Sequence, residues 1–263
     1  MIRPLVAAVV LGCASLTVTN FANDPGIQAQ AGPALPDVLT KAIAQYSTLT
    51  SYADTGKVVA EMPGIVDESR FTTYFRRATR DLYFDYQALT STNPGNKFTI
   101  DMKMYRYVVW MFKGEMQKYD FKTQAHDTVP PDGGGQVQAL QSLTHATQGA
   151  SILVPSMLYS QARLPSTILQ IDQAGVAGVE EVNNRRCQKI TGIAAAYYPS
   201  GQRTNVRPVT VWIDAETQLI RKVFEDTPKG APAGSYSRLT ITLEPVGNPT
   251  IEDAKFQFKV PGQ

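Results

Sequence analysis

Two cysteines and two histidines are all this sequence holds of those residues, and each shortage closes off a class of protein. With only Cys13 and Cys187, no disulfide framework holds the fold together. His126 and His145 lack the nearby carboxylate or cysteine spacing of a metal site and read as surface histidines. After the first residues, no stretch approaches the roughly 20 apolar residues of a membrane helix. Neither sign of charge dominates: 25 basic and 23 acidic residues leave a net charge of +2, with no basic footprint for nucleic acid. No convincing internal repeat is present.

The pieces of catalytic apparatus are missing as well. No G-x-S-x-G elbow occurs. Gly133-Gly134-Gly135 lacks the Lys-Ser/Thr of a phosphate loop and reads as a hinge. Glu180 and Glu181 are neighbours in a strand pattern, so they point to opposite faces and form no acid/base pair. Cys187 follows Arg185 and Arg186, which could lower a thiol pKa. Cys–His catalysis would need His126 or His145 beside it, and a lone buried cysteine is the plainer reading. The expectation is a protein that is not an enzyme and carries no cofactor.

What is present begins with an export address. Arg3 precedes an apolar run, Leu5 to Gly12, that extends through Ala14 to Val18. It is too short to span a bilayer and fits a signal peptide. Val10-Leu11-Gly12-Cys13 has the pattern of a lipobox, with a signal over 1–12 and lipidation at Cys13. Ala29-Gln30-Ala31 is the alternative peptidase site, and both remain open. Residues 1–31 thus read as signal and tether, and 36–263 as a single domain. The expected location is the periplasm or cell envelope, membrane-anchored only if Cys13 is acylated. About 230 residues remain, within the range of a single β domain.

Pro36-Asp37 opens a helix, with Leu39, Ala42, Ile43, Tyr46 and Leu49 on one face. The period then becomes two. Residues 54–62 read as a strand. Phe71, Thr73 and Phe75 alternate with polar or aromatic partners, as do Leu82, Phe84 and Tyr86. Phe98, Ile100, Met102 and Met104 continue the pattern. This is an antiparallel sheet with one dry and one wet face. Residues 105–112 continue as strand after a slip near 104–106, and Lys113-Gly114 turns into 115–121. Residues 123–135 read as the clearest loop. Val137, Leu140, Leu143 and Thr144 suggest a helix, and Ala150–Tyr159 is a second apolar run restarted by Pro155. Strands resume over 168–171, 178–183, 186–193, 209–213 and 219–225. Leu239, Ile241 and Leu243 follow, and Phe256, Phe258 and Val260 close the chain. The fold class is mainly β (α+β): a curled antiparallel half-barrel of about ten to eleven strands, with an N-terminal helix and a helical insert.

This order resembles the LolA/LolB lipoprotein-localisation superfamily, most of all its LolA-related predicted periplasmic proteins. Four segments carry the likeness: Tyr46–Val59, Phe71–Tyr86, Val108–Phe121, and Asp253–Pro261 as the closing strand. The resemblance implies a half-open barrel whose concave face holds acyl chains under a helical lid. Its partners would be lipid or lipoprotein acyl chains. It places Arg77 where the family's lid-holding arginine stands, although Ala78 replaces the proline that follows there.

The implied lipid cavity is lined by Phe71, Phe75, Leu82, Phe84, Tyr86, Met102, Met104, Val211, Leu239 and Ile241. Residues 136–159 would be a movable lid, through Ile152, Leu153, Met157 and Leu158. Acyl chains need an apolar, concave lining and no catalytic chemistry. The same residues could instead form a filled core. A sensor or scaffold module of this fold, binding an envelope protein partner, is the other functional class.

Overall fold

The computed structural model describes residues 36–129, 135–159, 171–197, 203–232, 234 and 237–262. The signal reading, with Cys13 and Ala31, lies outside them, as do Gly133, Gly134 and residues 168–170.

Helix α1 (Asp37–Thr48) starts behind Pro36 with Asp37 in its first turn, where a negative charge suits the helix dipole. Leu39, Ala42 and Tyr46 are fully buried, so the expected apolar face is the packed one. Thirteen strands follow: β1 (Ser51–Met62), β2 (Ile65–Arg76), β3 (Asp81–Asn93), β4 (Phe98–Asp101), β5 (Arg106–Phe112), β6 (Glu115–Asp120), β7 (Ala125–Val129), β8 (Ile171–Val182), β9 (Arg185–Tyr197), β10 (Arg203–Asp214), β11 (Ile220–Glu225), β12 (Arg238–Leu243) and β13 (Val246–Gly247). Between β7 and β8 stand α2 (Gly135–Ser142), α3 (Ala150–Leu153) and α4 (Pro155–Leu158).

All the strands join one antiparallel sheet in the order β7-β6-β5-β3-β2-β1-β12-β11-β10-β9-β8, with β4 added to β3 and β13 to β1. The two halves meet where β1 pairs β12, with Val58 opposite Ile241. β7 and β8 end the order unpaired with each other, so the sheet is open. Phe84 and Met116 from one half, and Val211 and Ile190 from the other, share one buried cluster with α1–α4. One face of both halves therefore wraps the same helices, which makes the sheet a half-barrel.

Turn chemistry sets the register. Lys113 and Gly114 both have positive φ, as do Asn183 and Asn184. Each pair is the two-residue loop of a hairpin, β5–β6 and β8–β9, where such backbone matches the strand twist. Edge strand β8 is one strand, not the two expected, and is broken by register shifts at Asp172/Gly175 and Val176/Gly178. Bulges of this kind blunt an edge against unwanted pairing.

Four expectations are corrected. Residues 125–129 of the expected loop form strand β7, paired to β6 with His126 opposite Tyr119. A polar edge strand needs only one neighbour and shows no apolar period. The pattern over 97–104 yields only the four residues of β4, all exposed. The chain then turns, Tyr105 N–H donating to Met102 O, and that turn is the slip in alternation. The closing strand at Phe256–Val260 is not a strand: a 3-10 turn spans Asp253–Phe256 and packs against β3 and β5. The wet face is also partly dry. Val260 and Phe258 cover Val108, Trp110 and Tyr119 on the outer side.

Asp81 is fully buried, beside Leu82, yet the β3 register holds, because Leu82, Phe84 and Tyr86 all join the inner cluster. Asp81 faces the other way. Arg76 donates to its Oδ2 at 2.6 Å and Lys113 N–H to its Oδ1 at 3.1 Å. Burial pushes this carboxyl up, but Thr79, Arg76 and Lys113 outweigh it and hold the pKa below its ordinary value.

Candidate functional site: the inner face and its helices

Most of the expected lining lies on the inner face. Phe71, Phe75, Leu82, Phe84, Tyr86, Val211 and Ile241 are buried in one cluster, and Leu239 packs against it half-buried. Met104 stands apart, 56% exposed in the turn after β4, and Met102 is half-buried beside it. The departure has a physical cause: the chain leaves the sheet after Asp101, so the alternating pattern outlives the strand. Ile152, Leu153, Met157 and Leu158 are buried in the same cluster as the sheet residues. The helices and the inner face thus form a continuous apolar interior.

Arg77 ties this interior together. It follows β2, in a tight turn that ends at Arg80 (φ 57°). Its guanidinium donates to Leu49 O at 2.6 Å, Tyr46 O at 2.9 Å and Leu158 O at 3.1 Å. The first two carbonyls end α1 and the third ends α4, where unsatisfied carbonyls attract a cation. Ala78 in place of proline does not prevent this. Arg77 also stands 5.3 Å from the Phe75 ring centroid, and Phe75 meets Tyr159 edge-on.

Sequence reasoning missed a polar seam in the inner wall. Tyr46 of α1 lies 5.6 Å from Tyr52 of β1, ring to ring, and its hydroxyl accepts Ile220 N–H at 3.1 Å. The Tyr52 hydroxyl donates to Asp54 Oδ2 at 2.7 Å. Asp54 is buried, and burial raises its pKa to about 6 against the opposing Tyr52 hydrogen bond. The signal was available: Asp54 shares strand parity with Tyr52 and Val58, which places a carboxylate on the inward face.

The candidate chemical groups occupy structural positions. Cys187 is buried on the outer side with Trp212 and Val182, and burial raises its thiol pKa. His126 stacks on Trp110 at 5.6 Å and its Nε2 bonds Gln117 Oε1 at 2.9 Å. Glu180 accepts from Lys189 and from Trp212 Nε1. Among the described residues, no three His, Cys, Asp or Glu gather as metal ligands, and no helix is long and apolar enough to cross a membrane.

No family model matches the chain, and no curated protein matches it. Among solved structures it is similar to the Mycobacterium tuberculosis lipoprotein LppX, at 13% identity over 82% of this chain and 97% of that one, TM-score 0.41. It is similar to LprF from Mycobacterium bovis at 12% identity, over 81% and 94% of the chains, TM-score 0.40. A third likeness is to the Pseudomonas aeruginosa MucA/MucB complex, at 14% identity over 83% of this chain and 59% of that one, TM-score 0.41. The fold itself stands on the strand order and register above.

Proposed function

We propose that this chain is a binding protein of the cell envelope that holds lipid or lipoprotein acyl chains against its inner face, as carrier or acceptor, and that it is not an enzyme. The observation that carries the reading is the apolar interior shared between an open sheet and a separate set of short helices. Helices of four residues, such as α3 and α4, have little stability of their own. They hold their places through side chains on the sheet and, for α4, through Arg77. An acyl chain offers the same apolar contacts, at roughly 0.8 kcal/mol per CH₂ removed from water, so it can replace them. Residues 136–159 are then the lid. Native mass spectrometry of the protein, gently purified from a bacterial host, is expected to show a co-purifying acyl lipid. Bare polypeptide at every collision energy would count against the carrier.

Export with lipidation at Cys13 belongs to the same proposal. Radiolabelled palmitate is expected to enter the wild type and not Cys13→Ser. Failure to label the wild type would favour cleavage near Ala31.

One observation favours the second reading, a module that binds a protein partner. Phe98 and Ile100, two apart on β4 and so on one face, are 47% and 49% exposed. A polypeptide in place of a lipid in the native spectrum would select it.

A further inference from the structure

We propose that Asp54 and Thr73 form a polar anchor in the inner wall that takes the hydrogen-bond donor of a bound acyl ligand, a hydroxyl or an ammonium, in preference to a carboxylate. The inference rests on the acyl-binding reading above. Asp54 of β1 and Thr73 of β2 are directly opposed in the ladder, so their side chains share the inner face. They are 3% and 0% exposed. Tyr52 occupies Asp54 Oδ2. Asp54 Oδ1 and Thr73 Oγ1 are buried and make no hydrogen bond of good geometry. The Thr73 hydroxyl and N–H act on Asp54 only as weaker contacts that lower its pKa without outweighing burial. Their neighbours along the wall are apolar: Val58, Phe71 and Phe75 belong to the main buried cluster.

The other buried carboxylates show what is missing. Asp81 is paired with Arg76, Asp214 with Arg185 and Arg221, and Glu225 with Arg207. The groups that act on Asp54 are Tyr52 and Thr73, with no arginine or lysine among them. A buried carboxylate with no cation beside it is costly to the folded protein. A hydrogen-bond donor arriving with a ligand offsets that cost, and a ligand carboxylate adds to it by like-charge repulsion. The anchor therefore discriminates by head group where the rest of the wall recognises only chain length.

The test uses the full chain loaded with N-phenylnaphthylamine, a neutral apolar dye, and measures its displacement by tetradecanol, tetradecylamine and myristate. The alcohol and the amine are expected to displace the dye at about tenfold lower concentration than myristate, about 1.4 kcal/mol of preference. Asp54→Asn keeps an acceptor and is expected to lose the advantage of the amine alone. Thr73→Val, which keeps shape and charge, is expected to narrow the advantage of the alcohol. Circular dichroism confirms folding, and Thr73→Val carries the test if the Asp54 variant does not fold. Equal displacement by all three ligands would overturn the anchor and leave the acyl-binding reading standing, as would an unchanged ranking in the folded variants. Displacement by none of them would overturn both.

Discussion

Asp54 is a residue whose ionisation opposes folding, and the sign of its effect can be worked out. Its folded pKa is about 6, above the ordinary 3.8. Well below the unfolded value, at about pH 3 and under, both states are protonated and the penalty vanishes. As pH rises from 4 to 6 the unfolded chain ionises first, so the folded state loses stability, and the loss is complete above pH 6. The two pKa values differ by about two units, which makes the loss roughly 3 kcal/mol at most. Asp54→Asn is therefore expected to raise the unfolding free energy measured by urea titration at pH 7, by up to about 2–3 kcal/mol, and to leave it nearly unchanged at about pH 3. An equal shift at both pH values would remove ionisation from the explanation. Asp214 behaves oppositely. Burial raises its pKa, but Arg185 and the N–H groups of Thr217 and Glu216 outweigh that and hold it at about 2. Gly56, two residues along the strand from Asp54, is constrained for another reason. A Cβ there would stand 2.1 Å from Phe71 Cζ, so the aromatic ring lies flat against bare backbone. Gly56→Ala is expected to cost about 1–3 kcal/mol by overpacking, and Gly56→Ala with Phe71→Leu is expected to recover part of it in the same denaturation assay.

At the scale of elements, the short helices depend on their carbonyl ends. Arg77 serves α1 and α4 together, so removing it is expected to loosen the lid more than the sheet. Arg77→Met keeps the length of the side chain and removes its donors. Hydrogen bonds from a charged group contribute about 1.5–3 kcal/mol. Amide exchange in α4 is therefore expected to accelerate at least tenfold while β2 and β3 keep their protection. Uniform acceleration across the sheet would make Arg77 a core residue and not a lid tie. The buried positions Leu153 and Met157 test the lid directly. Leu153→Asp with Met157→Asp is expected to weaken lipid binding, read as a lower affinity for a fluorescent fatty-acid probe, while circular dichroism still reports the sheet. Unchanged probe affinity in the folded variant would take the lid out of the mechanism, and global unfolding would show the helices to be permanent core.

Across the whole molecule, the sheet's two faces are closed by different means, and the sequence announced one better than the other. The inner face was legible because Leu82, Phe84 and Tyr86, and Leu239, Ile241 and Leu243, alternate with polar residues, and period two is what a one-sided sheet imposes. The helical insert was legible from its apolar run and Pro155. The outer face was not. Tyr83, Val108, Trp110 and Tyr119 sit at outward parity, where period alone predicts solvent, and what covers them is a chain end over a hundred residues away in sequence. No local pattern encodes a contact of that separation. Edge strand β7 was hidden by its polar composition, whereas buried Asp54 was legible from strand parity and was passed over because carboxylates are expected to face water. The covering segment is held at two points. Arg76 reaches Asp253 at 2.8 Å and lies 4.9 Å from the Phe256 ring centroid. Phe258 then packs 5.0 Å from Trp110 and 5.8 Å from Tyr119, ring to ring. If this segment closes the outer face as a latch, Phe258→Ala exposes Trp110 without disturbing the inner wall. The expected cost is about 2 kcal/mol, below the usual 3–5 for a fully buried phenylalanine because Phe258 is only half-buried. Tryptophan emission is expected to shift to the red in the folded variant, while dye binding at the inner face stays at its wild-type level. A variant that lost dye binding together with the emission shift would show the two faces to be one cooperative core, with the latch part of the binding frame.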